Sequence, residues 1–367
     1  MARHVAVVGT GLIGGSIALG LRRSRPSTPV VGYDTDPASM EAALRSGALT
    51  AGAASAEEAV SGAELVVLAM PVDQIPAACE VLADAVPRDA IVTDVGSAKV
   101  DVVAHGEAAF GERFAGGHPM AGSERHGIGA AEAELFDSAW WILTPTQRTS
   151  HTAYQGVARL ATRLGAKPVA VDPSVHDTLV ARLSHLPQLT ASALVDTAAT
   201  AGDRDALLGL AAGGFRDVTR IAASNPDLWV AILRSNRAAV LEALGALRGR
   251  LARLEGMIEA GQWTGVREFL DAARRARLDL FSKPVYVGTP VALSTMIPDR
   301  PGVLAEVTTA AGELGANIED LRIVHSSEGG KGRLELVVAG DTSAGLLASA
   351  LTALGYRVER SGVDKDV

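Results

Sequence analysis

The sequence predicts an α/β chain in three successive regions: a doubly wound parallel sheet at residues 1–171, an all-helical region at 172–283 and a βαββαβ unit at 284–367. Three observations indicate this. Apolar β-type runs alternate with alanine-rich stretches in the first region, vanish in the second and return in the third. A chain of 367 residues is also too long for one ordinary hydrophobic core, so two or three domains are expected.

Composition and charge exclude several classes of protein. Hydrophobic residues make up 48% of the chain but aromatic residues only 4%, which favours closely packed helices and an α/β sheet. A net charge of −8 argues against nucleic-acid binding, which needs a concentrated basic surface. The single cysteine, Cys79, cannot form an internal disulfide. Because neither a signal peptide nor a run of about 20 apolar residues is evident, we expect a cytoplasmic protein with no membrane partner.

The first region contains seven short runs rich in β-branched residues. Because most positions in each run are apolar, the strands are expected to be buried on both faces, as in a parallel sheet covered by helices. In chain order the runs are HVAVVG, PVVGYD, AELVVLAM, DAIVTDVG, RFAGG, AWWILTP and AKPVAV.

A glycine pattern between the first run and the first helix indicates a Rossmann-type dinucleotide site. In Gly9-x-Gly11-x-x-Gly14, the first glycine permits a tight turn and the second lets a pyrophosphate approach the backbone. The third lets the helix pack closely on the sheet. The alternative is a glycine-rich turn that binds no nucleotide.

Asp34, at the end of the second run, indicates which dinucleotide binds. Its carboxylate can accept hydrogen bonds from the ribose hydroxyls and would repel a 2′-phosphate, so NAD is expected rather than NADP. Met70 and Pro71, at the end of the third run, are expected to lie against the cofactor. The residues assigned to the cofactor are Gly9, Gly11, Leu12, Ile13, Gly14, Asp34, Met70 and Pro71. No metal site is predicted.

Ser97 and His118 are the candidate catalytic residues. Each follows a predicted strand, in DVGSAK and GGHPMAGSE, and strand ends of this kind converge on the ligand crevice of a doubly wound sheet. A neutral imidazole can accept a proton from a hydroxyl while hydride leaves the same carbon. The small residues around His118 are expected to leave room for two ligands. The alternative is a histidine that only stabilises its loop.

The helical region is expected to supply the rest of the pocket. Asp177, Ser184 and Gln188 fall on one face of its first long helix, and Asp177 and Gln188 are assigned to the substrate. On the same count, His176 and His185 are expected to point elsewhere. The long helices bury too much apolar surface to stand alone, so they are expected to pack together and across a dimer interface.

The segment GGFRDVTRIAASNPDLW, which begins at Gly213, contains two further candidates. A planar guanidinium is a preferred partner for a carboxylate, so Arg220 is expected to bind an acidic substrate. Trp229 is expected to line the same cavity, in the first turn of a helix that starts at residues 224–226. For Arg220 the alternative is a solvated surface charge.

Together, these motifs resemble the prephenate/arogenate dehydrogenase family. GTGLIGGSIA, DVGSAK, GGHPMAGSE, HDTLVARLSHLP and GGFRDVTRIAASNPDLW come in the order of that family, and the resemblance covers nearly the whole chain. It implies a homodimer that oxidatively decarboxylates prephenate to 4-hydroxyphenylpyruvate with NAD, in tyrosine biosynthesis. The alternative within the family is arogenate dehydrogenase, which gives tyrosine directly.

The resemblance also implies roles for individual residues. His118 would take the proton of the ring hydroxyl, and Ser97 would help to orient it. Arg220 would bind a substrate carboxylate, while Trp229 and the segment near Gly213 would complete the side-chain end of the pocket.

One residue departs from the family pattern. In SHLPQ the family often has histidine where this chain has Gln188. Because glutamine is neutral at every pH, it contributes no positive charge toward the acidic side chain of the substrate. Prephenate remains the first expectation and arogenate the rival.

The third region resembles an ACT domain. Its predicted strands VALSTMI, NIEDLRIVHS, LELVVAG and YRVER and helices VLAEVTTAAGELG and SAGLLASALTALG follow the βαββαβ order of a ferredoxin-like unit. The resemblance implies feedback control by an amino acid, with tyrosine as the expected effector. The residues assigned to it are Asp299, Pro301, Gly302, Val303, Leu304, Asn317 and Ile318. The alternative is a structural or dimerising appendage.

Two other functions are weighed against this assignment. A β-hydroxyacid dehydrogenase also joins a Rossmann domain to a helical bundle, but that class relies on a catalytic lysine in its helical part, and no lysine lies between Val171 and Phe281. A non-enzymatic regulator that senses NAD and an amino acid would explain the first and third regions. It would leave Ser97, His118 and Arg220 without a joint purpose.

Overall fold

A computed structural model of the chain describes residues 4–122, 127–200, 213–281, 290–298, 300–325 and 331–362. The chain divides into two compact units, Met1–Arg253 and Leu254–Val367. The first unit contains the glycine pattern and the candidate catalytic residues, and the second contains the candidate effector residues. The domain boundaries predicted after residues 171 and 283 differ from this division and remain predictions.

The first unit is built on a five-stranded parallel sheet in the order β3-β2-β1-β4-β5. Alternate residues of β1 pack into two hydrophobic clusters, Val5 and Val7 into one and Ala6 and Val8 into the other. Both faces of the strand are therefore buried, which explains its continuous apolar run. The strands are β1 His4–Val8, β2 Val30–Tyr33, β3 Ala51–Gly52, β4 Ala63–Leu68 and β5 Ile91–Asp94.

Helices connect these strands in the manner that a parallel sheet requires. Side chains at two N-caps fix where helices begin: Asp36 accepts from the backbone of Ala38 and Ser39, and Ser55 accepts from that of Glu58. The helices are α1 Leu12–Ser24, α2 Pro37–Arg45, α3 Ala56–Val60, α4 Ile75–Leu82 and α5 Val100–Phe110.

The last three predicted strands form a separate sheet in the order β6-β7-β8, which corrects the expectation of a single parallel sheet. β7 and β8 are parallel and are joined by helix α6, whereas β6 is antiparallel to β7. Between β6 and β7 the described residues contain only a short 3-10 turn, so no helical crossover imposes a parallel arrangement there. The elements are β6 Gly116–Pro119, β7 Trp140–Thr144, α6 His151–Arg163 and β8 Lys167–Ala170.

Residues 172–200 and 213–281 are helical, as predicted, and contain no strand. The start predicted at residues 224–226 is confirmed, because Asn225 caps a helix whose first residue is Pro226. Two interruptions differ from the prediction of long continuous helices: a π-helical turn at Ala181–His185 and a break at Asn236. The helices are α7 Pro173–Val180, α8 Leu186–Ala199, α9 Gly213–Thr219, α10 Pro226–Ser235, α11 Arg237–Glu259 and α12 Trp263–Phe281. Among the residues described, no helix has the length and apolar character to cross a membrane.

The C-terminal part of the second unit is an antiparallel sheet in the order β10-β11-β9-β12, with two helices packed against it. Leu293 of β9 and Leu336 of β11 are buried with Leu347 of the second helix in one hydrophobic cluster. The elements, in βαββαβ order, are β9 Pro290–Pro298, α13 Val303–Glu313, β10 Ile318–His325, β11 Lys331–Ala339, α14 Asp341–Ala353 and β12 Val358–Gly362.

Candidate active site

Four strand ends meet at the carboxyl edge of the parallel sheet. Asp34 follows β2, Gly9 follows β1, and Met70 and Ser97 come shortly after β4 and β5. Because the strand order is β2-β1-β4-β5, these residues form a row, and spacing of about 4.8 Å between strands makes the row about 14 Å long. From β1 the chain adds strands first on one side of the sheet, β2 and β3, and then on the other, β4 and β5. Dinucleotides bind in such folds at this switch point, between β1 and β4.

The glycine loop has the geometry that its sequence predicts. Gly9 has φ +97°, and a Cβ there would lie 2.5 Å from the carbonyl oxygen of Ala69. A Cβ on Gly14 would lie 2.0 Å from the carbonyl oxygen of Gly9. Above Gly11, by contrast, there is open space, because a Cβ would meet nothing within 4 Å. Gly9 and Gly14 therefore close the turn tightly, and Gly11 leaves a clear approach to the start of α1, as a pyrophosphate requires.

Asp34 is fixed beside this loop. Its Oδ2 accepts from the backbone N–H of Thr10 at 2.7 Å and from the Thr10 hydroxyl at 3.2 Å, and its Oδ1 accepts from the N–H of Asp36 at 3.0 Å. Leu12 and Ile13 form the first turn of α1 and are partly exposed. The carboxylate thus lies at the end of β2, the position at which dinucleotide-binding folds carry an acidic residue for the adenosine ribose.

His118 lies on strand β6 and not in a loop after a strand, which corrects the sequence-based expectation. The glycines before it are required by packing and do not simply leave room for ligands. A Cβ on Gly116 would lie 2.4 Å from Thr144 Oγ1, and a Cβ on Gly117 would lie 2.8 Å from the carbonyl oxygen of Asp94. These glycines let β6 approach the end of β5 closely, which places His118 near the carboxyl edge of the parallel sheet.

A buried ion pair supports the backbone just before His118. Lys99 Nζ bonds to Asp94 and donates to the carbonyl oxygen of Gly117 at 2.8 Å, and both charged side chains are fully inaccessible to solvent. Asp94 Oδ1 accepts from the N–H of Gly117 at 3.1 Å, while Oδ2 accepts from the N–H of Gly96 at 2.7 Å. The pair therefore holds both backbone polar groups of Gly117. Sequence reasoning missed it, although both residues lie in the DVGSAK motif.

The ring of His118 is hydrogen-bonded to a second histidine. Its Nδ1 lies 2.8 Å from Nε2 of His176, and Nδ1 of His176 lies 2.8 Å from Oδ1 of Asp177. The same carboxylate accepts from the backbone N–H groups of Lys99 at 2.7 Å and Val100 at 2.9 Å, at the start of α5. Asp177 was assigned to the substrate from the sequence. In the structure its carboxylate accepts from two backbone N–H groups and contacts the His176 ring.

The surroundings favour the uncharged form of His118. Burial, followed by the neighbouring His176, Lys99 and His185, holds the pKa of His118 well below its usual value of 6.5. Burial is also the main cause that lowers the pKa of His185, to about 4. The ring is therefore neutral near pH 7, and the residue remains partly exposed.

His185 and His176 point into the site, which contradicts the expectation that they point elsewhere. The π-helical turn at Ala181–His185 adds one residue to the helix, so His185 takes the place that regular helical spacing gives to Ser184. The His185 ring makes an edge-to-face contact with Trp229, with ring centres 5.9 Å apart. Asn236, at the break between α10 and α11, lies 3.3 Å from His185 Nδ1 and donates to the carbonyl oxygen of Asp177 at 2.8 Å.

The remaining predicted residues are less closely grouped. Ser97 is partly buried, but the His118 ring bonds to His176 and not to Ser97. Gln188 is 5% exposed, and its Oε1 is buried without a hydrogen-bond partner. Gly213 and Arg220 are exposed on α9 and the turn that follows it, a segment that packs against α8.

The candidate effector residues are partly brought together in the second unit. Pro301, Gly302, Val303 and Leu304 line a pocket of about 360 Å³ at the start of α13, together with Arg300. Gly302 has φ +90°, a left-handed conformation that favours glycine. The other predicted effector residues are placed differently: Asn317 and Ile318 do not line this pocket, and Asp299 lies outside the described residues.

Comparison with protein families finds two matches along this chain. Residues 17–170 match the nucleotide-binding domain of prephenate dehydrogenase, and residues 172–272 match the prephenate dehydrogenase dimerization domain. Together these matches include the parallel sheet after β1 and most of the helical region.

Similar proteins and structures agree with these matches. The chain is 33% identical to prephenate dehydrogenase of Bacillus subtilis over 350 residues, which are 93% of each chain. It resembles a crystal structure of Aquifex aeolicus prephenate dehydrogenase in complex with hydroxyphenyl propionate and NAD⁺, with a TM-score of 0.71 and 33% identity over 76% of this chain and 99% of that one. It also resembles Synechocystis arogenate dehydrogenase, with a TM-score of 0.66 and 31% identity over 75% of this chain and 98% of that one.

Proposed function

The chain belongs to the prephenate dehydrogenase family, and on that premise we propose that His118 is the base of its active site. The chain catalyses the NAD-dependent oxidative decarboxylation of prephenate. One observation supports the assignment of His118 above all others: a partly exposed histidine with a lowered pKa, held rigidly next to the edge where the cofactor binds. His118 has two features that a general base needs: hydrogen bonding fixes its ring, and its lowered pKa keeps the ring neutral near pH 7.

The proposed role of His118 follows from the electron flow. NAD⁺ would be held at the glycine loop and Asp34, and would supply the acceptor for the hydride of the ring carbinol carbon. Nε2 of His118 takes the proton of the carbinol hydroxyl, and that carbon becomes a carbonyl. When the ring carboxylate leaves as CO₂, its bonding electron pair stays in the ring, and the phenolate oxygen takes the proton back from His118. The products are 4-hydroxyphenylpyruvate, CO₂ and NADH, and formation of the aromatic ring makes the reaction effectively irreversible.

A steady-state assay tests the function directly. NADH formation is measured with prephenate, arogenate or a 3-hydroxy acid as substrate. We expect turnover with prephenate and a lower kcat/KM with arogenate. Turnover with the 3-hydroxy acid alone would identify a β-hydroxyacid dehydrogenase, and no turnover with any of the three would favour an NAD-sensing regulator.

Gln188 is the residue most relevant to the choice between the two ring substrates. Its buried, unpartnered Oε1 can accept a hydrogen bond, so it suits the ammonium group of arogenate better than the keto oxygen of prephenate. This observation keeps arogenate as a second candidate substrate. The ratio of the two kcat/KM values decides between them.

The pH dependence of kcat/KM is expected to reflect the low pKa of His118. The base must be neutral to accept a proton, so activity persists as the pH falls to 6.5 and is lost only below it, as the ring becomes protonated. Initial rates at subsaturating prephenate across pH 4.5–9 measure this limb. A half-loss of kcat/KM at or above pH 6.5 would contradict the assignment.

Arg220 is proposed to bind a carboxylate of the substrate. We expect Arg220→Ala to raise KM for prephenate by roughly 10–10², the cost of one charge-assisted hydrogen-bonded contact, with a smaller change in kcat. Arg216→Ala is the matched control, since Arg216 lies one turn earlier and is also exposed. Equal effects of the two substitutions on KM would remove Arg220 from the substrate site.

Asp34 is proposed to select NAD over NADP. Asp34→Asn keeps an oxygen for the N–H of Thr10 but removes the charge that repels a 2′-phosphate. We expect the preference for NAD⁺ in kcat/KM to fall by roughly 10–10². Asp36→Asn, which removes a nearby exposed carboxylate, is expected to leave the preference unchanged. An unchanged preference in Asp34→Asn would mean that another group reads the ribose.

The C-terminal sheet unit is proposed to be an ACT domain that binds tyrosine and inhibits the enzyme. The βαββαβ order, the left-handed Gly302 and the pocket at the start of α13 support the proposal. Isothermal titration of the full chain with tyrosine, combined with rate measurements at increasing tyrosine, tests it. If tyrosine neither binds nor alters the rate, the unit is structural or dimerising.

The match of residues 172–272 to a dimerization domain supports assembly as a homodimer. Large apolar side chains are exposed in the corresponding helices, including Leu183 at 73% and Leu194 at 41%. We propose that a second copy of the chain covers these side chains.

A further inference from the structure

We propose that His176 and Asp177 are positioning residues that hold His118 in the one neutral tautomer able to act as a base. The inference rests on the proposed role of His118. Neither residue contacts the substrate in this assignment. Their role follows from which atom donates and which accepts in each hydrogen bond of the series His118–His176–Asp177.

The carboxylate of Asp177, the last member of the hydrogen-bonded series His118–His176–Asp177, determines the direction of these bonds. Asp177 accepts from the backbone N–H groups of Lys99 and Val100, and an ionised carboxylate offers only lone pairs to a further partner. Nδ1 of His176, 2.8 Å from Asp177 Oδ1, must therefore bear the hydrogen. Asp177 is itself 4% exposed, so water competes little for this bond.

The hydrogen on Nδ1 of His176 also determines which nitrogen of His118 bears a hydrogen. With His176 neutral and its hydrogen on Nδ1, Nε2 of His176 is bare and can only accept. Nδ1 of His118, 2.8 Å away, must donate to it. Nε2 of His118 is then the bare nitrogen, with its lone pair free to take a proton. The opposite tautomer would present an N–H to the substrate hydroxyl and could not act as the base.

The geometry also resists reorientation of either ring. His176 is fully buried, and the two histidine rings meet edge to face at 71° with centres 5.1 Å apart. The charged or titratable groups around the pair are Lys99, Asp177 and His185. Of these, only Asp177 is hydrogen-bonded to the His176 ring, so it alone determines which nitrogen of His176 bears the hydrogen.

Two substitutions of His176 separate positioning from packing. In His176→Gln the amide can donate to Asp177 and accept from His118, so the direction of the chain is preserved. His176→Leu fills a similar volume but accepts nothing. We expect His176→Leu to lower kcat by roughly 10–10² with little change in KM or in NAD⁺ binding, and His176→Gln to recover most of the loss. Equal kcat values in the two variants would assign His176 to packing and overturn the proposal.

Nitrogen NMR of the full chain with ¹⁵N-labelled histidine measures the tautomer itself. The chain has eight histidines, and His118→Gln assigns the signal of interest. We expect Nδ1–H with bare Nε2 at His118 in the wild type and in His176→Gln, and a mixture of tautomers in His176→Leu. His151→Ala, which removes an exposed histidine, serves as the control. Nε2–H at His118 in the wild type would overturn the proposal.

These measurements separate the base role of His118 from the positioning role of His176 and Asp177. If His118→Ala retains full activity, His118 is not the base, whatever its tautomer. If His118→Ala is inactive but the wild type shows Nε2–H at His118, the side chain is still required for turnover, and the positioning role proposed for His176 and Asp177 fails.

Discussion

Replacement of His118 by alanine is expected to lower kcat by roughly 10² to 10⁴ while KM for prephenate stays nearly unchanged. The methyl side chain cannot accept the carbinol proton, so the hydroxyl must lose it to water during hydride departure. Substrate binding is expected to survive, because it is proposed to depend on Arg220 and on the pocket around Trp229. The measurement is steady-state NADH formation at saturating NAD⁺.

The pattern of kinetic effects matters more than the size of the His118 effect alone. His118→Ala is expected to change mainly kcat and Arg220→Ala mainly KM, since one group acts in the transition state and the other in binding. His151→Ala controls for loss of a histidine at an exposed position. Small and equal effects from His118→Ala and Arg220→Ala would contradict both assignments.

Lys99→Met is expected to destabilise the protein by about 3–5 kcal/mol, because it leaves Asp94 as a buried carboxylate without its cation. The lysine also donates to the carbonyl oxygen of Gly117, which would lose its side-chain partner. The free energy of unfolding from denaturant titration measures the effect. Lys167→Met is the matched control, since Lys167 is exposed at the start of β8, and its effect is expected to be within about 1 kcal/mol.

A double-mutant cycle separates the ion pair from its surroundings. Asp94→Asn alone weakens the acceptor for the N–H groups of Gly96 and Gly117 and leaves Lys99 buried without its counter-charge. The double variant Asp94→Asn, Lys99→Met is expected to be less destabilised than the sum of the single variants. Additive effects would show that the two charges do not stabilise each other, and the proposed support of β6 by this pair would fail.

Much of the cofactor site could be predicted because its chemistry is local in sequence. Gly9, Gly11 and Gly14 lie within one turn and the start of one helix; Gly9 and Gly14 have the close contacts, and Gly11 the open space, that the pattern predicts. Asp34 follows the next strand, so parallel connectivity alone places it beside Gly9. Short-range patterns of this kind need no knowledge of tertiary packing.

The residues behind His118 could not be predicted, because their contacts depend on packing and on an irregular helix. Regular spacing places His185 away from Asp177, but the π-helical turn adds a residue and rotates it into the site. The contact of His176 with His118 joins residues 58 positions apart in different secondary elements. The only local signal was Pro187 in SHLPQ, which indicates a disturbed helix without giving its geometry.

The small residues before His118 illustrate a correct pattern with a different cause. We expected Gly116 and Gly117 to make space for ligands, whereas the structure requires them where β6 passes Thr144 and Asp94. Glycine occurs both where a ligand needs space and where two backbone segments approach closely. The sequence pattern is the same in the two cases, and the structure distinguishes them.

A crystal structure of the complex with NAD⁺ and 4-hydroxyphenylpyruvate tests the central claim most directly, through the distance from Nε2 of His118 to the phenol oxygen. We expect about 2.6–3.2 Å, with the ring carbon that bears this oxygen facing the nicotinamide. A phenol oxygen bound by another side chain, with the imidazole beyond hydrogen-bonding reach, would contradict it.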